Sequence, residues 1–302
     1  MTRIIGMAAA LRGLLLLSLV VVALPAVAQT EKLVHAERSQ YREVLVYENG
    51  GERCMCFTRS CRIGRQSCID LENPHRFALN YTRMMLAGSL FSSPDPRRIL
   101  IVGLGGGSLP TALAEILPNA TIDVVEIDPA VTRVARKFFD FKDGPKLKVS
   151  ELDGRVFIKR AGREGKHYDV IMLDAFDHEY IPEHLLTREF LQEVKALLAP
   201  QGVLVANTFS SSRLYDHEST TYSDVFGPYY NLKAANRVIV IRQGGLPPLE
   251  ELRTRAATYD AALRSFGVET WTLLPMFSTQ VDWDRNARVL TDQYSPANLL
   301  NR

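Results

Sequence analysis

The sequence lacks a net charge of either sign that would indicate a strongly charged partner. Its 302 residues include 36 lysines and arginines against 34 acidic residues, which gives a formal net charge of +2. Arg3 and Arg12 account for that excess, because the first 28 residues contain no acid. No basic patch stands out along the rest of the chain. The sequence therefore does not predict a nucleic-acid-binding protein.

Cysteine is scarce and confined to one short stretch. The four cysteines are Cys54, Cys56, Cys61 and Cys68. An even count in one cluster favours disulfides in an exported protein, whereas a four-cysteine zinc site is disfavoured because paired C-x-x-C motifs are absent. If residues 52–57 and 65–70 form antiparallel strands around a loop, Cys54 lies opposite Cys68. Cys56 is then left to pair with Cys61.

The apolar run at the N-terminus is too short to span a bilayer, which takes about 20 residues. It extends from Leu14 to Leu24, follows Arg3 and Arg12, and precedes the small residues Ala26–Ala28. This order is typical of a signal peptide. We therefore predict that residues 1–28 are cleaved and that the protein is exported to the periplasm or secreted. A retained membrane anchor is the alternative.

Internal repeats, low-complexity tracts and heptads are also absent, so the rest of the chain is predicted to be globular. Residues 29–92 form a predicted β-rich cap, since Tyr41–Tyr47 alternates between apolar and polar side chains. After Pro74 the spacing of apolar residues predicts a helix that packs on the cap or on the main sheet. The prolines of Ser92–Pro96 mark the boundary. Residues 93–302 form the predicted main domain.

A glycine cluster follows the first strand of the main domain. Ile99–Val102 is an apolar, β-branched run typical of a buried strand, and the next residues include Gly103, Gly105 and Gly107. Glu126 stands about twenty residues further on, at the end of a second apolar strand. Strand, glycines, helix, strand and acid in this order favour a nucleotide pocket over a tight turn without a ligand.

The main domain continues to alternate strands and helices. Further strands are predicted at residues 147–149, 168–173, 202–206 and 237–242. This alternation predicts an α/β fold with a doubly wound, mostly parallel sheet. In such a sheet the ligand lies over the carboxyl ends of the strands, so Gly105, Glu126, Asp153 and Asp174 are expected to surround one crevice.

Several of these segments resemble the spermidine synthase (polyamine aminopropyltransferase) family. Val125–Asp128 is similar to its ribose-binding stretch, Asp153–Arg155 to its adenine-binding Asp-Gly pair, and Asp174 to the first acid of its acidic loop. Other matches are Gln66 in the N-terminal region, Tyr81, Asp177, Pro182 and the C-terminal segment Leu290–Pro296. The resemblance implies a seven-stranded sheet of the S-adenosylmethionine methyltransferase type behind a small N-terminal β domain.

The resemblance also implies a reaction in polyamine biosynthesis. An aminopropyl group would pass from decarboxylated S-adenosylmethionine, without a metal, to an amine acceptor such as putrescine. Asp174 would accept the proton, Asp177 would orient the amine, and Tyr81 would contact the substrate. The implied donor-binding residues are Gly103, Gly105, Gly107, Glu126, Asp153, Gly154 and Pro182. Since the family often dimerises through its N-terminal domain, a homodimer is implied as well.

Three departures from the family pattern reduce the negative charge expected around a polyamine. Gly106 replaces an aspartate of the glycine loop, Thr82-Arg83 replaces a His-Glu pair, and the fifth strand ends in Asn207–Phe209. Arg83 is expected to repel a cationic substrate. Two alternatives therefore stay open, namely methyl transfer from S-adenosylmethionine itself and a non-catalytic nucleoside-binding relative.

Two histidines lie close to the acidic loop. His178 and His184 follow Asp174 and Asp177 within ten residues, which raises the alternative of a metal site. Polar residues are equally common on a loop that leads into a helix. The sequence does not favour a metal here.

Overall fold

The computed structural model describes residues 31–61, 64–175 and 181–296. The predicted signal peptide, Asp177 and His178 lie outside the described residues. Within them, the strands form two sheets, one of four strands and one of seven.

The smaller sheet lies in the N-terminal part of the chain and is antiparallel throughout, in the order β1-β2-β3-β4. Its strands are β1 (Lys32–Arg38), β2 (Glu43–Asn49), β3 (Glu52–Cys56) and β4 (Arg65–Asp70). The prediction of a small N-terminal β structure is confirmed.

Both disulfides join parts of the β3–β4 hairpin. Cys54 is the register partner of Cys68 across the two strands, and their sulfurs are bonded. Cys56, at the end of β3, is bonded to Cys61 in the loop that follows. All four cysteines are buried. The structure thus contains the pairing that the strand geometry predicts.

The larger sheet has the order β10-β11-β9-β8-β5-β6-β7. Its strands are β5 (Arg98–Val102), β6 (Thr121–Glu126), β7 (Leu147–Glu151), β8 (Tyr168–Leu173), β9 (Leu198–Phe209), β10 (Tyr230–Lys233) and β11 (Asn236–Arg242). The pairs among β5 to β9 are parallel, and β10 and β11 are antiparallel. The predicted α/β fold with a mostly parallel seven-stranded sheet is confirmed.

Helices cover both faces of this sheet. They are α1 (Asn80–Ser92), α2 (Ser108–Ile116), α3 (Pro129–Phe138), α4 (Gly154–Arg163), α5 (Arg188–Leu197), α6 (Tyr215–Phe226), α7 (Leu249–Ser265) and α8 (Thr270–Leu273), with short 3-10 turns at Glu183–Leu185 and Leu274–Met276. Helix α1 packs against β9, β11 and α7, so it belongs to the main sheet. No helix in the described part of the chain is long and apolar enough to cross a bilayer.

The alternating side chains of β5 explain why this strand lies at the centre. Ile99 and Ile101 belong to the apolar core on the face covered by α1, α2 and α7. Leu100 and Val102 belong to the core on the opposite face, with residues of α4, α5 and α6. A strand that is buried on both faces needs apolar residues at every position. This packing fixes the carboxyl ends of the central strands.

Candidate active site

The residues that follow four parallel strands surround one cavity. Gly103 and Gly105 follow β5, Glu126 ends β6, Asp153 follows β7 and Asp174 follows β8, and all of them line it. The cavity has a volume of about 850 Å³, counting the part that is open to solvent. The cavity lies at the carboxyl ends of the parallel strands, which is where doubly wound sheets bind their ligands.

Gly103 lets the ends of β5 and β8 approach closely. Its φ is +102°, and a Cβ atom there would lie 2.2 Å from the carbonyl oxygen of Asp174. The Asp174 amide donates to the Val102 carbonyl at 2.8 Å, and the Gly103 amide donates to the Val125 carbonyl at the same distance. A side chain at position 103 would force Asp174 away from its neighbours.

Glu126 is held by two backbone amides. The Leu104 amide donates to Oε2 at 3.0 Å, and the Asp128 amide donates to Oε1 at 2.9 Å. Burial raises the pKa of Glu126, while the two amides oppose that rise. A carboxylate oxygen accepts more than one hydrogen bond, so each oxygen keeps capacity for a hydroxyl donor.

Asp153 caps the N-terminus of α4. Its Oδ1 accepts a hydrogen bond from the Val156 amide at 2.9 Å, and its Oδ2 lies 2.9 Å from Nε2 of His184. Gly154 follows, and a Cβ atom there would lie 2.6 Å from the Val102 side chain. Pro182 lines the same cavity.

Asp174 is a carboxyl whose surroundings disfavour its charge. Burial raises its pKa to about 7, and repulsion from Glu126 adds to the rise. Hydrogen bonds from Asn207 and Tyr81 lower the pKa and so oppose this rise. Nδ2 of Asn207 donates to Oδ1 of Asp174 at 2.9 Å. A carboxylate that titrates near neutral pH can accept a proton from a bound substrate.

Tyr81 connects Asp174 with the N-terminal sheet. Its hydroxyl has one proton to donate, and two acceptors compete for it, the Asp174 carboxylate and the Gln66 carbonyl oxygen in β4 at 3.3 Å. Burial and the charge of Asp174 raise the pKa of the phenol well above 10. The phenol therefore stays protonated and donates a hydrogen bond at this end of the cavity.

Gly107 and Arg83 do not line the cavity. Gly107 precedes α2 with a φ of +81° and lies against the ring of Phe141. The guanidinium of Arg83 donates to the carbonyl of Phe77. The Arg83 side chain is thus held at the base of α1, and its predicted repulsion of a cationic substrate stays a prediction.

Gly106 lies against the N-terminal sheet. A Cβ atom there would lie 2.6 Å from Oγ of Ser67 in β4 and 2.9 Å from the ring of Phe139. Position 106 thus has no space for an aspartate as the structure stands.

His184, which the sequence placed near the acidic loop, is paired with a carboxylate. His184 contacts Asp153, and no three potential ligands come together among the described residues. His178 and Asp177, the other residues considered for a metal site, lie outside the described residues.

Residues of the N-terminal sheet complete the cavity wall. Arg42, Phe57 and Gln66 line it, with the Arg42 guanidinium 4.3 Å from the centre of the Phe57 ring. Neither Arg42 nor Phe57 is part of a motif, so the sequence does not predict their place in the cavity wall. Gln66 was found only through the resemblance to the family.

The fold and the site define a class of protein. A doubly wound sheet with a glycine loop, an acid after the second strand and further acids at the same edge is typical of nucleoside-binding α/β proteins. Comparison with known sequences narrows this class. The spermine/spermidine synthase domain matches residues 78–243.

Two bacterial relatives match most of the chain. A polyamine aminopropyltransferase of Vibrio vulnificus (strain CMCP6) is 48% identical over 274 residues, which cover 89% of this chain and 91% of the relative. A polyamine aminopropyltransferase of Chromobacterium violaceum is 36% identical over 221 residues, or 70% and 82% of the two chains.

Solved structures share the fold. A probable spermidine synthase from Corynebacterium glutamicum has a TM-score of 0.62 at 21% identity and covers 83% of this chain and 96% of its own. Human methyltransferase-like protein 13, in complex with SAH, has a TM-score of 0.56 at 30% identity and covers 62% and 93%. The chain belongs to the spermine/spermidine synthase family. It is a transferase.

Proposed function

We propose that the protein transfers an aminopropyl group from decarboxylated S-adenosylmethionine to an amine acceptor such as putrescine. The observation that carries this proposal is the half-buried carboxyl of Asp174, with a pKa of about 7, in the cavity at the carboxyl ends of the parallel strands. The similarity to the polyamine aminopropyltransferase of V. vulnificus supports the same reaction.

The reaction requires a neutral amine nucleophile. The nitrogen lone pair attacks the carbon beside the sulfonium, the bond between that carbon and sulfur breaks, and the sulfur keeps the electron pair as a thioether. The proton that the nitrogen loses passes to Asp174, which acts as the general base. Tyr81 donates a hydrogen bond to Asp174 and holds it at this end of the cavity.

The remaining cavity residues are assigned to the nucleoside. Glu126 accepts hydrogen bonds from the ribose hydroxyls, Asp153 and Gly154 bind the base, and Pro182 borders it. Gly103 and Gly105 give the donor access to the loop after β5. Asp177 is proposed to orient the acceptor amine, on the resemblance alone.

Methyl transfer from S-adenosylmethionine is the second candidate. The packing of Ser67 and Phe139 against Gly106 favours it, because the glycine loop offers no carboxylate to a polyamine. The similarity to methyltransferase-like protein 13 favours it too. Both reactions use the same nucleoside contacts, so the donor distinguishes them.

Titration calorimetry on the chain from residue 29 onward tests the proposal. We expect decarboxylated S-adenosylmethionine to bind more tightly than S-adenosylmethionine, and the product methylthioadenosine to form when putrescine is added. Tighter binding of the carboxylated donor would support methyl transfer. Absence of binding by either donor and by methylthioadenosine would contradict both enzymatic proposals.

We further propose that the chain is exported after cleavage behind Ala28, because the N-terminal pattern and the two disulfides favour an oxidising compartment. Mass spectrometry on protein from the native host tests this. A start at Gln29 and no free thiols are expected. An intact Met1 with four free thiols would overturn the proposal.

A further inference from the structure

His184 lines the cavity next to the proposed base-binding residue. It lies in the 3-10 turn Glu183–Leu185, and its Nε2 atom is 2.9 Å from Oδ2 of Asp153. The side chain of Asp153 is 26% exposed and that of His184 is 45% exposed. Both side chains are therefore accessible to a ligand.

The backbone of His184 is held from behind. Its carbonyl oxygen accepts a hydrogen bond from Nη1 of Arg155 at 3.3 Å. The Arg155 guanidinium also binds Asp292 in the C-terminal segment at 2.7 Å and Glu193 in α5 at 2.9 Å. This network fixes the turn that carries the imidazole, so the contact with Asp153 is made from an anchored position.

Each oxygen of the Asp153 carboxylate has one hydrogen-bond partner. Oδ1 accepts from the Val156 amide, which is part of the helix cap. An ionised carboxylate only accepts hydrogen bonds, so the imidazole must donate from Nε2 to Oδ2. Both oxygens thus have a partner, and each keeps capacity for a further hydrogen bond from a ligand in the cavity that Asp153 lines.

We propose that His184 is a positioning residue that sets the orientation of Asp153 and thereby selects a purine with an exocyclic amino group. The amino group of adenine donates to the fixed carboxylate. Hypoxanthine carries a carbonyl oxygen in that place, and two acceptors would face each other. This inference rests on the proposed function, since it assumes an adenosine-based donor.

Binding of 5′-methylthioadenosine and 5′-methylthioinosine tests the inference. The wild-type protein is expected to bind the adenosine compound at least about tenfold more tightly. In His184→Ala the ratio is expected to fall below about threefold, because Oδ2 loses the donor that holds it. His184→Gln keeps a side-chain amide donor and should recover most of the preference.

Turnover and stability separate positioning from a loss of structure. His184→Ala should raise the KM of the donor and leave kcat within about twofold, since the imidazole does not touch the reacting atoms. His75→Ala is the matched control, because His75 is exposed and does not line the cavity. It should change neither the base preference nor KM.

The outcomes are distinguishable. An unchanged base preference in a folded His184→Ala variant, or failure of His184→Gln to recover it where His184→Ala loses it, overturns the inference and leaves the proposed function intact. If the wild-type protein binds neither nucleoside, the proposed function fails, and the inference fails with it. A thermal melt of each variant shows whether it is folded.

Discussion

At the scale of single residues, the environment of Asp174 decides its chemistry. Its carboxyl is half-buried after the end of β8, where desolvation disfavours the ionised form and Glu126 repels it. Asn207 and Tyr81 donate hydrogen bonds that partly restore that form. The result is a pKa of about 7, close to the pH at which a general base is most effective.

Replacing Asp174 removes the proposed base. Asp174→Asn should lower kcat by about 10²- to 10⁴-fold, because the amide cannot accept the proton. The affinity for methylthioadenosine should change little, since Glu126 and Asp153 remain. Asp95→Asn, on the exposed surface, is the control and should retain full activity. Unchanged turnover in Asp174→Asn would refute the assignment.

The pH profile follows from the same group. The raised pKa means that Asp174 is protonated and inactive well below pH 7 and becomes ionised above it. The kcat/KM of the wild-type protein should therefore rise with pH through a midpoint near 7. Asn207→Leu removes a donor that lowers this pKa, so the midpoint should move to higher pH. A midpoint that stays or falls would contradict the role of Asn207.

At the scale of elements, the glycine loop and the N-terminal sheet are packed together. Gly106 touches Ser67 of β4 and the ring of Phe139, which follows α3. Glycine at position 106 therefore has a steric reason in this chain, because a side chain there would meet the neighbouring sheet.

Restoring the aspartate should be unfavourable. Gly106→Asp is expected to lower the free energy of unfolding by about 1–3 kcal/mol, because the new side chain meets Ser67 and Phe139. Gly144→Asp is the control, since a Cβ atom at position 144 meets nothing within 4 Å. Its effect should stay within about 0.5 kcal/mol. Urea denaturation measures both, and equal effects would contradict the packing argument.

Arg155 joins the C-terminal segment to the His184 turn beside the cavity. Its guanidinium binds Glu193 and Asp292, and Thr187 also donates to Asp292 at 2.7 Å. These ion pairs raise the pKa of Arg155 above its usual range, so it stays charged. Asp292 thus has two partners, Arg155 and Thr187, which hold the C-terminal segment against α4 and α5.

Breaking this network should destabilise the fold. Arg155→Met removes the guanidinium that binds Asp292 and Glu193, although Glu193 keeps Lys159 at 3.5 Å. It is expected to lower the free energy of unfolding by about 1–3 kcal/mol. Arg160→Met, which removes an exposed pair on the same helix, should cost less than about 0.5 kcal/mol. Chemical denaturation compares the two, and a similar loss in both would argue against the network.

At the scale of the whole molecule, the two disulfides stabilise a hairpin that forms part of the cavity wall. Both lie in the β3–β4 hairpin, and Phe57 and Gln66 of this hairpin line the cavity wall. Small β structures have few apolar contacts of their own and gain stability from cross-links. Removal of the disulfides is therefore expected to destabilise the hairpin more than the main sheet.

Loss of each disulfide should be measurable. Cys54 and Cys68 are separated by 14 residues and Cys56 and Cys61 by five. Replacing the first pair by serine should lower the free energy of unfolding by about 3 kcal/mol, and the second pair by about 2 kcal/mol, because the shorter loop constrains the unfolded chain less. Urea denaturation under oxidising conditions measures the difference. No loss in either variant would contradict a stabilising role.

The sequence predicted the main sheet because burial on both faces requires continuous apolar runs, as in Ile99–Val102, and the glycines and acids at strand ends follow from that pattern. Strand β10 was missed, because it has only four residues at the edge of the sheet and carries no such run. A pattern of apolar residues is a local property of the chain. It therefore predicts single strands and helices better than it predicts the contacts between them.

Only the tertiary structure decided what several individual side chains do. In the folded chain, Arg83 donates to a carbonyl at the base of α1. Ser67 and Phe139 occupy the space beside Gly106. His184 is paired with Asp153. Each of these facts depends on atoms far apart in the sequence or on a local turn with no periodic signal. The sequence by itself determined which elements form and which edge carries the acids, whereas packing between elements determined which side chains reach the cavity.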